Sequence, residues 1–186
     1  LMFAVISAIG FAFSAAMLNW LAFALAPVAL LILFGYSYAK RFTAFAHFIL
    51  GLALALAPVG AWVAIRAEIG LPAVFLGLGV MFWTTGFDLI YACQDVDVDR
   101  REGLYSIPSR WGVTAAMTIS RFLHTVAIIM FAMASYQTNL GWGYMAGVGL
   151  AAGLLVAEHL VVDPSDMRRI NIAFFTINSW VGMAIL

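Results

Sequence analysis

The chain has 186 residues, of which 65% are hydrophobic and only 10% are charged, and its mean hydropathy is +1.04. A domain of this length has too little core to bury so many apolar side chains, so the composition excludes an ordinary soluble protein and indicates a helical membrane protein. The zero net charge gives no reason to expect a nucleic acid partner, and the single cysteine, Cys93, excludes an internal disulfide and a cysteine metal cluster.

Seven segments of the chain are apolar enough to cross a membrane, which takes about 20 mostly apolar residues. Their limits are about 1–18, 22–39, 44–65, 71–93, 113–136, 141–161 and 169–186. The connection at Asn19 is so short that the first two helices are expected to be antiparallel neighbours. No internal repeat or linker divides the chain, so we expect residues 1–186 to form one all-α domain, a polytopic bundle of transmembrane helices.

Lysine and arginine are distributed unequally between the two sides that these helices define. One side has only Arg66. The opposite side has eight basic residues: Lys40, Arg41, Arg100, Arg101, Arg110, Arg121, Arg168 and Arg169. Cytoplasmic connections of membrane proteins carry an excess of Lys and Arg. The side with eight basic residues is therefore predicted to face the cytoplasm.

One polar stretch, residues 88–112, separates the fourth and fifth predicted helices. It holds five of the nine acidic residues and three of the nine basic ones. Charged side chains in hydrocarbon are costly, so this stretch is expected at a membrane surface or in a water-filled cavity. Any chemistry that the chain performs is expected here.

The spacing of the acidic residues in this stretch indicates a metal site. If the fourth helix continues, Asp95 and Asp99 share a face while Asp97 points elsewhere, and Asp88 and Tyr91 lie one to two turns earlier on roughly the first face. Two carboxylates held side by side repel each other unless a cation lies between them. Oxygen ligands with open positions suit Mg²⁺, which usually keeps waters and bridges to substrate phosphates.

Basic residues near these acids extend the prediction to a diphosphate. Arg100, Arg101 and Arg110 lie in the same stretch, and Lys40 and Arg41 end the second helix on the same side, with Tyr36 one turn before Lys40. Carboxylates, a metal and cations together are what a diphosphate needs to be bound and to leave.

Other interpretations of the acidic stretch remain. A calcium-binding EF-hand loop is excluded, because it needs Gly at position six and Glu at position twelve, where this chain has Arg100 and Ser106. A solvated loop with no function and a cation-transport site both remain open, although transport carboxylates usually lie near the membrane midplane. His47, His124 and His159 show no ligand spacing and are expected to be interfacial or hydrogen-bonded. Asn178, in the last helix, is expected to form a hydrogen bond to another helix.

At these residues the chain resembles a known family. The stretch FDLIYACQDVDVDRREGLYSIPSRWG (residues 87–112) resembles the second Asp-rich motif of the UbiA-type membrane prenyltransferases, and the nearest similarity is to 4-hydroxybenzoate polyprenyltransferases. Residues 36–62 and 158–180 are also similar to that group. The resemblance implies that Asp95 and Asp99 hold Mg²⁺ and diphosphate, with Asp97 as a further metal ligand of less defined role. It also implies that Lys40 contacts the diphosphate.

The chain departs from the family pattern in one respect. The family has nine transmembrane helices and an earlier Asp-rich motif, N-D-x-x-D-x-x-x-D, after its second helix, which this sequence does not contain. We therefore expect that the chain lacks the family's first two helices and first motif. Half of the metal site would then be missing, and this chain alone would be inactive.

The resemblance implies an Mg²⁺-dependent enzyme of quinone biosynthesis, for ubiquinone or menaquinone, embedded in membrane lipid in a bacterial inner membrane. It would transfer a polyprenyl group from its diphosphate to a small aromatic acid such as 4-hydroxybenzoate. Asp95 and Asp99 would be catalytic, and the substrate contacts would come from Tyr36, Lys40, Arg41, Asp88, Tyr91 and Arg101. A membrane transporter or non-catalytic subunit is the alternative. A CDP-alcohol phosphotransferase is a weaker one, because its signature needs glycine where Tyr91 stands.

Overall fold

The computed structural model describes residues 2–138, 140–163, 166 and 170–185, and these residues form helices and connections without a strand. The elements are α1 (Met2–Leu18), α2 (Trp20–Ala39), α3 (Ala46–Arg66), α4 (Leu71–Ala92), a 3₁₀ turn (Cys93–Asp95), α5 (Val96–Arg101), α6 (Ile107–Trp111), α7 (Val113–Thr138), α8 (Gly141–Val161), a π-helical segment (Ile172–Ile177) and α9 (Asn178–Ile185).

Each of the seven apolar segments predicted from the sequence contains a helix, and the limits agree to within a few residues. Five of these helices are long and apolar enough to cross a membrane: α2, α3, α4 with its continuation to Arg101, α7 and α8. The described parts of the first and last are shorter, namely α1 and the stretch Phe175–Ile185. Positions 169 and 186 of the last predicted helix lie outside the described residues.

Helix α4 lies at the centre of the bundle, between α3 and α7. Close approach is possible because small residues line both contacts. A Cβ added at Gly79 would lie 2.5 Å from the ring of Phe131 on α7, and one added at Gly51 on α3 would lie 2.5 Å from the carbonyl oxygen of Met81. Phe131 is fully buried, so the α4–α7 contact forms part of the core.

The short connection at Asn19 is fixed by that residue's own side chain. Its Oδ1 accepts a hydrogen bond from Ala22 N and caps α2, and its Nδ2 donates to the carbonyl oxygen of Val63 in the last turn of α3, at 2.8 Å. The predicted pairing of α1 with α2 is confirmed, since the two helices pack together.

The outer surface of the bundle is apolar, as expected of helices that face lipid. Phe3, Trp20, Leu31, Trp142 and Leu160 are each more than seven-tenths exposed. The connections place Arg66, at the end of α3, on the opposite side from the segment between α4 and α7, as the sequence predicted. Arg168 and Arg169, which contributed to the predicted charge asymmetry, lie outside the described residues.

Candidate active site

Asp99 is the acid of the Asp-rich motif that the fold buries. It is only 2% exposed, and its Oδ1 lies 3.5 Å from the Nζ of Lys40, which follows α2. Its Oδ2 is buried without a hydrogen-bond partner among the described residues. A buried carboxylate oxygen without a partner is costly, so this atom is suited to receive a cation.

The backbone around Asp99 is held in place by the turn that follows it. Gly103 adopts a φ of +67°, a conformation that favours glycine, and this turn brings Leu104 N to the carbonyl oxygen of Asp99 at 2.8 Å. One residue later, Tyr105 N donates to the carbonyl oxygen of Lys40 at 2.7 Å. The main chain therefore joins Lys40 to the segment that carries Asp99.

The rest of this segment folds back over the end of the bundle. Ser106 and Ser109 form a reciprocal capping box that starts α6, and the guanidinium of Arg110 lies 4.1 Å from the ring centroid of Tyr105. Trp111 packs edge-on against Phe45, in the connection between α2 and α3, with 5.8 Å between ring centroids. Most of residues 93–112 is therefore ordered by contacts of its own, which does not fit the interpretation as a solvated loop.

The other two acids of the motif differ from Asp99 in exposure. Helix α4 does not continue unbroken, because Cys93–Asp95 forms a 3₁₀ turn before α5 begins. Asp95 is half-buried and Asp97 is exposed, which agrees with the expectation that Asp97 points elsewhere. No three Asp, Glu, His or Cys side chains within the described ranges converge as a metal-binding group. A metal on Asp95 and Asp99 would therefore need oxygen ligands from elsewhere, and its presence stays a prediction.

Asp88 has a partner that the sequence analysis missed. His47, in the first turn of α3, places its Nδ1 2.6 Å from Asp88 Oδ2, and its side chain is 1% exposed against 21% for Asp88. A carboxylate only accepts, so Nδ1 carries the hydrogen. Asp88 lies four residues before the end of α4, at the same end of the bundle as Asp99. The sequence could have indicated that a partner exists, because the acid Asp88 stands within an apolar helix and an acid inside a membrane helix needs a partner.

The remaining predicted site residues, Tyr36, Arg41 and Tyr91, lie at the Asp99 end of the bundle, but their surroundings differ. Tyr36 is 40% exposed, and Tyr91 is partly buried against the core cluster around Leu89. Arg41 is exposed, with its guanidinium 5.7 Å from the ring centroid of Tyr38. Their predicted contacts with substrate stay predictions.

The two exposed arginines of α5 donate hydrogen bonds to backbone carbonyl oxygens. Arg101 donates from Nε to the carbonyl oxygen of Asp97, within its own helix, and Arg100 donates to that of Ser109. Arg101 is therefore not directed at Asp99 in this structure, and a substrate contact would require its side chain to turn. It stays a prediction.

A second polar cluster, which the sequence analysis also missed, joins four helices. Glu158 on α8 is fully buried, and its Oε1 accepts from Asn178 Nδ2 at 2.7 Å, while Asn178 Oδ1 accepts from Trp83 Nε1 at 2.7 Å. His124 Nδ1 lies 3.0 Å from His159 Nε2 and 3.5 Å from Glu158 Oε2. These contacts confirm the expectations that the histidines are hydrogen-bonded and that Asn178 bonds to another helix.

The buried acids bear on the transporter interpretation, which predicts charges in the middle of membrane helices. Asp88 lies four residues before the end of α4, and Glu158 lies three residues before the end of α8. Both acids are therefore near the ends of their helices and not at the midplane, where transport sites usually lie.

An apolar cavity of about 560 Å³ lies between α1, α2 and α3. Its lining includes Leu18 and Ala22 at one end and Leu33 at the other, together with Val63 and Ile69. Because α2 runs from Trp20 to Ala39, the cavity extends from the side opposite Lys40 towards the polar end. It is separate from Asp99 and offers space for a hydrophobic group.

Comparison with known proteins agrees with this geometry. A family model described as the UbiA prenyltransferase family matches residues 1–180. The mitochondrial 4-hydroxybenzoate polyprenyltransferase of Arabidopsis thaliana is 31% identical over 158 residues, which are 84% of this chain and 38% of that protein. The 4-hydroxybenzoate octaprenyltransferase of Xanthomonas oryzae pv. oryzae is 30% identical over 168 residues, which are 90% of this chain and 56% of that protein.

A solved structure shares the fold. The apo structure of a UbiA homolog from Aeropyrum pernix K1 superposes with a TM-score of 0.86 at 28% sequence identity, and the match covers 97% of this chain and 67% of that one. The chain thus spans about half the length, or less, of the two enzymes named above. Both the matched family and the shared fold agree with the resemblance seen in the Asp-rich motif. The chain is an integral membrane protein and belongs to the UbiA prenyltransferase family.

Proposed function

We propose that this protein transfers a polyprenyl group from its diphosphate to a carboxylated aromatic ring, of which 4-hydroxybenzoate is the best candidate, in the biosynthesis of a membrane quinone. The observation that carries the proposal is the buried Asp99 carboxylate, with Lys40 3.5 Å from one oxygen and no described partner on the other. The names of the two similar enzymes, a 4-hydroxybenzoate polyprenyltransferase and an octaprenyltransferase, support the choice of substrates.

The donor set at this site fits a magnesium ion. The oxygens of Asp95 and Asp99 would hold Mg²⁺ together with diphosphate oxygens and water, and the ion would supply positive charge that stabilises the departing diphosphate. The ammonium of Lys40, about one-third exposed, is placed to meet the same negative charge. Asp88, which accepts a hydrogen bond from His47, lies about two helical turns before Asp95, at the same end of the bundle.

The substrates suit two kinds of surface, the polar end of the bundle and the apolar cavity that extends towards it from the opposite side. The allylic C–O bond breaks with both electrons leaving on the diphosphate, a ring carbon of the acceptor forms the new C–C bond, and the ring then loses its proton. The apolar cavity between α1, α2 and α3 is suited to the hydrophobic chain. Arg41, exposed next to Lys40, is suited to the carboxylate of the acceptor. The excess of Lys and Arg at this end supports an active site that faces the cytoplasm. The bacterial octaprenyltransferase among the similar enzymes supports a bacterial inner membrane.

The test is an assay of prenyl transfer by membranes that contain the protein at its natural length, with labelled polyprenyl diphosphate, 4-hydroxybenzoate and Mg²⁺. Asp99→Asn is expected to lower the transfer rate about a hundredfold or more, because charge at the leaving group is then held less well. Asp97→Asn is the matched control, since Asp97 is exposed two residues away, and it is expected to stay within about threefold of the natural rate.

The two transfer rates can be compared only if Asp99→Asn and Asp97→Asn both insert into the membrane and keep the thermal stability of the natural protein. Full activity of Asp99→Asn, or equal loss in Asp97→Asn, would remove the role assigned to Asp99. Absence of aromatic product with every donor length, together with movement of a solute across vesicles by the purified protein, would favour the transporter interpretation.

A further inference from the structure

A groove of about 490 Å³ lies between α7 and α8, apart from the Asp99 site. Its polar lining is Arg121, His124, Thr125 and His159, and its apolar lining includes Ile128 and Val156. Such a combination of a cation with an apolar channel is suited to an amphiphile with a negative headgroup.

The polar and apolar parts of the groove are arranged by depth. Helix α7 starts at the polar end of the bundle, and Arg121 lies about two turns into it, followed by Thr125 and then Ile128. Helix α8 runs the other way, so His159 lies near its end and Val156 lies deeper. The groove thus becomes less polar towards the membrane interior, in the same order as the headgroup and acyl chains of a phospholipid.

The groove opens on the outside of the bundle. On the side of α7 towards α4, Ser120 Oγ donates to the Gly86 carbonyl oxygen at 2.7 Å. The ring of His124 forms the inner wall of the groove, and its Nε2 lies 3.3 Å from the carbonyl oxygen of Trp83. On the open side, Val156 is 61% and Leu160 80% exposed. The groove is therefore open on the outer surface of the bundle that the described residues form.

Arg121 supplies the charge that selects the headgroup. Its side chain is exposed in the groove, and no acidic residue in the described part of the chain forms an ion pair with it. An arginine at this depth requires an anion or water to stabilise it. Glu158, the acid of the cluster behind the groove, is fully buried and accepts a hydrogen bond from Asn178.

We propose that this groove is a binding site for an anionic phospholipid, whose phosphate is bound by Arg121 and whose acyl chain lies along Ile128, Ala152 and Val156. Occupation of the groove would also affect α4, because His159 in its lining contacts His124, whose Nε2 lies 3.3 Å from the carbonyl oxygen of Trp83 on α4. The site would thus connect the surrounding lipid with α4, which carries Asp88 and leads into the segment that carries Asp95 and Asp99.

The test measures binding of a fluorescent phosphatidylglycerol to the protein purified at its natural length in a neutral detergent. Phosphatidylglycerol is expected to compete with the probe at least fivefold better than phosphatidylcholine. Arg121→Gln is expected to weaken phosphatidylglycerol binding about five- to tenfold and to remove this preference, as loss of one cation near a lipid phosphate predicts. Arg121→Lys keeps the charge and is expected to keep the preference.

Two further variants complete the design. Arg66→Gln is the matched control, because Arg66 lies at the opposite end of the bundle, next to Glu68, and it is expected to bind like the natural protein. Ala152→Phe fills the apolar part of the groove and is expected to weaken both lipids. Thermal unfolding in the same detergent identifies any variant that fails to fold. If Arg121→Gln fails to fold, the preference of the natural protein for phosphatidylglycerol and the weakening in Ala152→Phe decide.

Several outcomes would overturn the proposal. Equal binding of the two lipids to the natural protein, or no change in Arg121→Gln, would show ordinary contact with surrounding lipid only. Displacement of the probe by inorganic phosphate would indicate a site for the free ion, and displacement by farnesyl diphosphate at the same concentration as phosphatidylglycerol would assign the groove to the substrate.

Discussion

The hydrogen bond between His47 and Asp88 gives the sharpest test of how the bundle holds its acids. His47→Leu replaces the ring by an apolar side chain of similar size, so the change removes the donor with little change in packing. Asp88 then keeps a carboxylate inside the membrane part of α4 without this partner. The variant is therefore expected to be less stable than the natural protein.

The size of the effect follows from the geometry. Neutral hydrogen bonds between membrane helices contribute about 0.6 kcal/mol on average, whereas those to a charged group contribute about 1.5–3 kcal/mol. The contact is short, at 2.6 Å, and His47 is 1% exposed, which favours the second range; Asp88 is 21% exposed, which favours its lower end. We expect a loss of about 1.5 kcal/mol, which lowers the Tm of a chain of this size by about 3–6 °C.

The assay is thermal unfolding of the purified protein at its natural length, followed by intrinsic fluorescence in one detergent. His47→Asn is the matched control, because its amide places a donor near the position of Nδ1, and it should recover most of the Tm. The reasoning is refuted if His47→Leu unfolds at the natural Tm, or if His47→Asn loses as much as His47→Leu. A double variant with Asp88→Leu should lose less than the sum of the two single changes.

Three other changes test the rest of the site and the packing. Arg41→Ala should raise the KM for 4-hydroxybenzoate about ten- to a hundredfold and leave that of the prenyl donor unchanged, as loss of a charge-assisted contact predicts; a change in the donor's KM alone would contradict the assignment. Asn178→Leu should lower stability by about 1–3 kcal/mol, because it removes the donor to the buried Glu158, and an unchanged Tm would contradict this. Gly147→Ala should destabilise the protein by about 1–3 kcal/mol, since its Cβ would meet the carbonyl oxygen of Ala184. Gly149→Ala is its control, because it has open space around it and should be neutral or slightly stabilising. Equal unfolding temperatures of the two variants would contradict the close contact at Gly147.

The sequence was sufficient for the helices, and it indicated residues 88–112 as the candidate site, because both inferences depend on local composition. A run of apolar residues predicts a membrane helix by its length alone, and the acids of residues 88–112 stand out against it. The interruption of α4 by the 3₁₀ turn Cys93–Asp95 was not predicted, since nothing in its composition differs from a continuing helix. The unequal burial of Asp97 and Asp99 required the fold of the following turn.

The side-chain pairs that join different helices could not be predicted from the sequence, for a different reason. His47 and Asp88 are 41 residues apart, and Glu158 and Asn178 are 20 apart; no spacing rule connects residues that meet only when separate helices pack. The useful signal was indirect: a charged residue within an apolar run, such as Asp88 or Glu158, predicts that a partner exists without saying which one it is.

These pairings also explain how an apolar bundle fixes the positions of its few polar groups. Apolar helices in lipid gain little from one register over another, whereas a buried hydrogen bond is made in only one. Helices α3, α7 and α9 each contribute such a contact to α4: His47 to Asp88, Ser120 to the Gly86 carbonyl oxygen, and Asn178 to Trp83. Lys40, which follows α2, makes a further contact with Asp99 on α5. Because a slip of one residue would break at least one of them, α4 acts as the reference against which its neighbours are aligned. Contacts distributed along α4 therefore help to position the acid site, and Asn178→Leu is expected to lower the proposed prenyl transfer through that alignment as well as to lower stability.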